Sequence, residues 1–241
     1  MKPLDLSLAL VLFSCSRTLF FANQINSNAP TAIDFREQDP VLTPYGAVNA
    51  TERWDRNSIT VCWLDHPEFA SQRAWVEKAV RSTWMRASSV RFTGVSSGAW
   101  GDCTQQGADI TIQVSDNPLG PRSRVGKSSV GHSPSMWLNF TFASWGQSCR
   151  SKIESCIESI ATHEFGHAAG FEHEQLQSDA PKACIDFLKK TGTWEVVDQK
   201  PTALTPYDPD SVMNYCNSIW LNNGQLSANY EKAILILFPL A

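Results

Sequence analysis

Several features that would indicate a class of function are missing from this 241-residue sequence. No run of lysine and arginine occurs and the net charge is −4, so nothing indicates binding to nucleic acid or to an anionic membrane surface. No two cysteines have the C-x-x-C spacing typical of a structural zinc domain. No repeat or low-complexity tract is visible, and the hydrophobic content of 42% is sufficient for a packed core. The length predicts one large domain or two small ones.

The first hydrophobic run, from Leu6 to Phe13, is too short to span a bilayer. It follows Lys2 and precedes small residues, which is the composition of a secretory signal peptide. We therefore predict a signal peptide over residues 1–22, with cleavage after Ser16 or near Ala22. The protein is accordingly expected to be secreted into the extracellular space.

The end of this leader also has a loose similarity to a lipoprotein cleavage box, which makes a lipid anchor on Cys15 the alternative to free secretion. Without that lipid, no stable membrane association is expected. Residues 23–46 are polar and contain three prolines, which indicates a linker or a short propeptide. Globular sequence begins at about residue 47, so residues 47–241 are expected to form the folded domain.

Six of the seven cysteines follow the leader, and an even number in an exported chain predicts up to three disulfides. Six cysteines allow fifteen connectivities. The connectivity that we prefer is Cys62–Cys103, Cys149–Cys156 and Cys184–Cys216. The alternative is that some of these residues are free buried thiols.

Hydrophobic periodicity predicts a mixture of strands and helices. Alternating apolar residues predict strands within 58–64, 90–95, 108–115 and 135–143, with a loop over 116–134. Apolar residues spaced three and four apart predict a helix over 71–88, and a short helix is expected over 230–238. A further helix is expected to begin near Ser155, because Glu158 three residues later would complete a capping box. Regular structure is expected to be sparse from 171 to 228. This order of elements predicts an α+β fold.

The segment "ATHEFGHAAGFEHEQ" contains three of the five histidines. On a helix, His163 and His167 would lie on one face, one turn apart, where both imidazoles can reach one tetrahedral ion. Glu164 would lie beside that ion, within reach of a metal-bound water. Gly170 permits the positive φ that ends a helix, so that the chain can turn back and bring in His173. Three protein ligands leave a position for water, which is typical of a catalytic zinc ion.

The pattern H-E-x-x-H-x-x-G-x-x-H resembles the extended zinc signature of the metzincin metallopeptidases. That superfamily carries a methionine in a turn beneath the zinc, and Met213 in "YDPDSVMNY" fits it. Glu174 after the third histidine and Tyr215 after the methionine make the chain most similar to the astacin family. Asn214 departs from that family's usual histidine. The resemblance implies that Tyr215 can ligate zinc and stabilise the reacting carbonyl, and that Glu174 is structural, buried near the mature N-terminus.

The resemblance implies a fold as well as an activity. The fold is a metzincin-type catalytic domain over residues 47–241, with a twisted mixed sheet, two long helices, an active-site helix and an irregular C-terminal subdomain. An extended substrate is expected along an edge strand, for which the segment "SMWLNFTFA" (135–143) is the candidate. The activity is hydrolysis of peptide bonds in proteins through a zinc-bound water, with Glu164 as the general base.

Other functions remain open at this point. The chain could be a non-hydrolytic secreted zinc-binding module on a peptidase scaffold, although the presence of Glu164 argues against that. A different metzincin family is the closer alternative, and Glu174 and Tyr215 argue against its matrix-metalloprotease-like members. A protein or peptide substrate and one Zn²⁺ ion are the expected partners, and the enzyme is expected to be a monomer.

Overall fold

The computed structural model describes residues 47–64, 67–96, 98–104, 107–193 and 201–240. Cys15, the predicted signal peptide and the predicted linker or propeptide therefore lie outside the described residues. Within the described ranges, no helix combines the length and the apolar character that crossing a membrane requires.

A five-stranded sheet lies at the centre of the fold, in the spatial order β3-β2-β4-β6-β5. Four of its strands are parallel, and the short outer strand β5 runs antiparallel to β6. The strands are β2 (Ser58–Trp63), β3 (Arg91–Gly94), β4 (Ile110–Val114), β5 (Arg122–Ser123) and β6 (Met136–Leu138). A separate antiparallel pair joins β1 (Ala47–Val48) to β7 (Thr202–Ala203). The four longer strands lie within the four segments that show alternating apolar residues in the sequence.

The prediction that residues 135–143 form the edge strand is wrong. Only Met136–Leu138 is a strand, and it lies between β4 and β5. The pairing ends at Asn139, whose side-chain oxygen accepts the N–H groups of Thr141 at 3.0 Å and Phe142 at 2.8 Å. This side-chain turn replaces a strand ladder. Phe142 then has a φ of 53°, which no extended strand adopts. The predicted loop 116–134 contributes the outer strand β5 instead.

Two helices differ from the predictions, one by an interruption and the other at its start. The predicted helix 71–88 is divided into α1 (Ala70–Ser82) and α2 (Trp84–Ala87), because Thr83 leaves the helical region and its hydroxyl donates to the carbonyl of Ala79. The long helix α3 spans Ile153–Ala169. The predicted capping box at its start is wrong, since the Ser155 hydroxyl donates to the Lys152 carbonyl and caps no N–H group.

The segment 171–228 also contains a helix, α4 (Lys182–Thr191), where irregular structure is predicted. Only Cys184 and Leu188 of it are buried. Their spacing of four, with Ala183 and Phe187 beside them, is typical of an amphipathic helix, so the pattern is present in the sequence. The rest of the described segment is irregular apart from β7 and short 3₁₀ turns, as expected. The last helix, α5 (Ala228–Leu237), lies within three residues of its predicted bounds.

Three disulfides join Cys62 to Cys103, Cys149 to Cys156 and Cys184 to Cys216, which is the connectivity preferred from the sequence. The principal hydrophobic core contains buried residues of the sheet and of helices α1, α3 and α5. A small second cluster surrounds the Cys184–Cys216 disulfide and includes the ring of Tyr215.

Candidate metal centre and active site

Helix α3 brings the first two histidines of the motif together. His163 and His167 lie one turn apart on α3, and both side chains are buried. The helix ends at Gly170, which adopts a φ of 113°. The N–H of Phe171 then donates to the Gly166 carbonyl at 3.0 Å, which is the reversal that a glycine at this position permits. Glycine is favoured here because residues with a side chain rarely adopt that φ.

After this reversal, the N-terminal segment of the domain guides the chain back to the site. Val48 forms an antiparallel bridge with Phe171, and the N–H of Glu172 donates to the Ala47 carbonyl at 2.9 Å. These contacts place His173 opposite the helix. Its Nε2 atom lies 3.1 Å from Nε2 of His167 and 3.3 Å from Nε2 of His163.

The hydrogen bonds of the rings define which nitrogens face the centre. The Nδ1 atom of His163 lies 2.8 Å from the Val212 carbonyl, and Nδ1 of His167 lies 2.8 Å from the Phe171 carbonyl. Since a carbonyl can only accept, both Nδ1 atoms carry the proton and both Nε2 atoms present lone pairs. Burial, and then repulsion from His167 and His173, lowers the pKa of His163 well below its usual value, so its ring is neutral.

The donor set fits a zinc ion. Three buried imidazole Nε2 atoms face one another, which is unfavourable unless a cation lies between them. Zn–N bonds of about 2.0–2.1 Å in a tetrahedral site place adjacent nitrogens about 3.4 Å apart. The observed separations of 3.1 and 3.3 Å are close to that value. Carbonyl groups that orient ligand rings through Nδ1 are the usual outer support of such a site.

The other residues predicted for the site lie around these histidines. Glu164 follows His163 on α3 and is only 5% exposed. The ring of Tyr215 has its centroid 4.3 Å from that of His173 and 5.6 Å from that of His163. Met213 is fully buried, with its sulfur against Gly166 of α3. A Cβ atom added to Gly166 would lie 2.4 Å from the Met213 sulfur, so this close contact depends on a glycine in the helix.

Glu174 joins three segments of the C-terminal region. It accepts hydrogen bonds from the Tyr230 hydroxyl on α5 at 2.6 Å, from the Asp208 N–H at 2.7 Å, and from the Gln177 amide. Burial raises the pKa of this carboxyl group to about 8. Its predicted proximity to the mature N-terminus stays a prediction, because residues before Ala47 lie outside the described residues.

Three contributors to this region have no signal in the sequence. Asp208 and Tyr230 belong to the hydrogen-bond network of Glu174, and Gln175 accepts the N–H of Tyr215 at 3.1 Å. Each is a single polar residue in a stretch without a recognisable spacing. Asn214, which departs from the family pattern, donates to the Tyr207 hydroxyl at 2.8 Å and to the Asp208 carbonyl at 3.0 Å.

Comparison with known proteins decides the family. The model of the peptidase family Astacin matches residues 46–232, which is most of the chain. The chain belongs to the astacin family. As an astacin-family member it is a zinc-dependent metalloendopeptidase that acts on proteins or peptides. The curated proteins include no sequence that matches it significantly.

Solved structures share the fold of this astacin-family chain. One structure of myroilysin is 21% identical, covers 81% of this chain and 100% of that chain, and has a TM-score of 0.57. A second myroilysin structure is 20% identical, with 79% and 87% covered and a TM-score of 0.51. High choriolytic enzyme 1, a hatching enzyme zinc-protease from the medaka fish Oryzias latipes, is 17% identical, with 83% and 100% covered and a TM-score of 0.48. The two myroilysin structures, at 20% and 21% identity, show the shared fold and nothing more detailed.

Proposed function

We propose that this astacin-family peptidase is a secreted enzyme in which His163, His167 and His173 hold the zinc ion and Glu164 is the general base. The observation that carries the proposal is the convergence of three buried Nε2 atoms beside a buried carboxyl group. When bound there, zinc would polarise the scissile carbonyl and lower the pKa of a water molecule towards about 7.

Glu164 has two tasks in this mechanism. Its carboxylate accepts a proton from the attacking water and then donates that proton to the leaving amine as the peptide bond breaks. Glu164 directly follows His163 on a buried helix, so its carboxylate is held beside the proposed ligands before substrate binds. Little side-chain freedom is then lost when the substrate binds.

Tyr215 supplies the hydrogen bond to the reacting carbonyl. Its ring lies against His173 and His163, which places Tyr215 at the site where it could ligate zinc or bond to a substrate oxygen. Negative charge develops on the carbonyl oxygen during attack, and a phenol O–H directed at that oxygen stabilises the transition state more than the substrate.

Strand β5 is the better candidate for the substrate edge. It is one of the two edge strands of the sheet in the described residues, and only β6 pairs with it there. It also contacts helix α3, which carries the first two histidines. An extended peptide could therefore add to β5 through backbone hydrogen bonds and lie across the zinc site.

The remaining sequence predictions complete the proposal. Residues 1–22 are a signal peptide, residues 23–46 are a linker or short propeptide, and residues 47–241 are the catalytic domain. Three disulfides support an oxidising destination, since such bonds persist mainly outside the cytosol. The enzyme is expected to act as a monomer, without stable membrane association unless Cys15 is lipidated.

The decisive experiment compares two glutamates of helix α3. Glu164→Gln should lower kcat for a casein or peptide substrate by about 10²–10⁴-fold, while one zinc ion remains bound per chain. Glu158→Gln is the matched control, because Glu158 lies on the same helix but pairs with Lys78 near the surface. It should leave both kcat and zinc content unchanged.

The histidines need a separate measurement. Replacing any one of His163, His167 and His173 with alanine should remove zinc and activity together. A histidine variant that keeps full zinc and full activity would overturn the assignment of the ligands. A Glu164→Gln enzyme that hydrolyses substrate at the normal rate would show that the base lies elsewhere.

A further inference from the structure

Three hydrogen bonds attach the methionine turn to the segments that carry the histidines. The Val212 carbonyl lies 2.8 Å from Nδ1 of His163, and the Met213 carbonyl accepts the N–H of Glu174 at 3.0 Å. The third bond joins the N–H of Tyr215 to the side-chain oxygen of Gln175 at 3.1 Å. The first of these uses a proposed zinc ligand and the second uses backbone on both sides. The third depends on a side chain that ligates nothing.

The orientation and burial of Gln175 are unusual for a glutamine. Its side chain is 1% exposed. The amide must present its oxygen to Tyr215, because the opposite orientation would place two N–H donors face to face. Its Nε2 group is then buried with no hydrogen-bond partner among the described residues. A buried amide N–H₂ without an acceptor is unfavourable, so packing alone gives no reason for a glutamine here.

We propose that Gln175 is a positioning residue for Tyr215, an inference that rests on the catalytic role proposed above for Tyr215. The side-chain oxygen of Gln175 holds the backbone of Tyr215, and that backbone places the phenol ring against His173. On its other side Tyr215 precedes Cys216, which is joined to α4 through Cys184. The two attachments leave the ring little freedom, and a misplacement of about 1 Å is enough to weaken catalysis strongly.

The test is a double-mutant cycle between the two residues. Gln175→Met keeps the length and shape of the side chain but removes the acceptor. We expect it to lower kcat about tenfold with KM changed less than about twofold, because the lost interaction acts in the transition state. In the Tyr215→Phe background, where the hydroxyl is already absent, the same substitution should change kcat less than about twofold.

Gln177→Met is the matched control. Gln177 is also a buried glutamine of this segment, but it donates to Glu174 rather than accepting from Tyr215. Its effect on kcat, whatever its size, should be the same in the Tyr215 and the Tyr215→Phe backgrounds. Comparing the two variants therefore distinguishes a general loss of order in the segment from a loss of position of Tyr215 alone.

A second readout does not depend on activity. Hydrogen exchange at the Tyr215 amide, followed by NMR in zinc-loaded and zinc-free protein, should be at least about tenfold faster in Gln175→Met than in the native chain. The same amide should exchange at the native rate in Gln177→Met. Gln175→Met should also retain one zinc per chain, since no ligand is changed.

The outcomes separate this inference from the proposed function. Equal losses of kcat from Gln175→Met in both backgrounds, unchanged exchange at Tyr215, or loss of zinc would overturn the positioning role while leaving Tyr215 as a catalytic group. Full kcat in Tyr215→Phe would overturn the proposed role of Tyr215 and the inference with it.

Discussion

The sheet half of the molecule, residues 47–152, and the C-terminal half, residues 171–240, are stabilised in different ways. In the sheet half most buried side chains are apolar, and backbone ladders satisfy the strands. The described C-terminal half is largely irregular, and it buries polar groups that bond to backbone atoms: Glu174, Gln175, Asp208, Ser211 and Asn214. A segment without ladders can hold a fixed shape if its side chains replace them.

Helix α3 joins the two halves through adjacent residues. Phe165 points towards the sheet half, where its ring stacks on Trp100 at 4.9 Å and meets Phe92 edge-on at 5.0 Å. Gly166 faces the C-terminal half, where the Met213 sulfur lies against it. The positions of the two histidines of α3 therefore depend on apolar packing on one side and on the close approach of the Met213 side chain on the other.

The largest effect on stability is expected in the sheet half. Phe92→Ala should lower the free energy of unfolding by about 3–5 kcal/mol, because a fully buried ring is replaced by a cavity next to Phe165. Denaturant unfolding with the disulfides intact would measure it, with Phe92→Leu as the milder control. If the backbone of α3 keeps its position when the packing around Phe165 is loosened, kcat of the folded enzyme should change less than about threefold. A large fall in kcat with zinc retained would show that the sheet core tunes the site.

A somewhat smaller loss is expected from the polar network. Glu174→Ala leaves the Tyr230 hydroxyl, the Asp208 N–H and the Gln177 amide without their acceptor, and should cost about 2–4 kcal/mol of unfolding free energy. Glu174→Gln should cost less, because the pKa of about 8 makes the native carboxyl group neutral at pH 7 and the amide keeps one oxygen. Calorimetry at pH 7 would compare the two. Equal losses for both variants would show that the network contributes little beyond packing.

The contact between the halves can be tested at Gly166. In Gly166→Ala, the new Cβ would lie 2.4 Å from the Met213 sulfur and 3.0 Å from Cζ2 of Trp84. Helix propensity favours alanine by up to about 1 kcal/mol, but overpacking typically costs about 1–3 kcal/mol. We expect Gly166→Ala to lower the free energy of unfolding in urea by about 1–2 kcal/mol. The same substitution should lower it by less in a Met213→Ala background, where the new atom has room. Greater stability of Gly166→Ala alone would mean that the methionine turn adjusts freely.

The same contrast explains which features the sequence could predict. Strands appear as a period of two because one face of the sheet packs on the core, so the alternation of Ile59 and Val61 is enough to predict β2. The zinc motif is equally easy to recognise in the sequence, because eleven residues on one helix and its turn contain all three proposed ligands. The prediction of the edge strand is wrong because β5, a strand of only two residues within the predicted loop, pairs outside β6 and is too short to show an alternating pattern. The bonds of Gln175 and Tyr230 join segments forty or more residues apart and leave no local pattern.

The smallest expected effect is a difference in how the halves respond to pH. For Asp116 in the sheet half, burial favours the protonated form, but N–H donors from Ser144, Asn139 and Ala143 outweigh it and lower the pKa below its usual value. A lowered pKa means that the unfolded chain binds more protons, so the stability from Asp116 is present above about pH 4 and is lost as the pH falls. For Asp208 in the C-terminal half, burial raises the pKa despite the Ser227 hydroxyl and the Asp210 N–H.

The native chain therefore binds the proton of Asp208 more tightly, and its contribution declines as the pH rises from about 4 through the raised pKa. The free energies of unfolding of the metal-free native chain, Asp116→Asn and Asp208→Asn can be measured in chelator between about pH 2.5 and 7. They would distinguish the two opposite pH dependences. The native chain's stability relative to Asp116→Asn should decrease on acidification, and its stability relative to Asp208→Asn should increase. If both stability differences change in the same direction with pH, water reaches Asp208. A desolvated polar network then does not hold the irregular backbone of the C-terminal half.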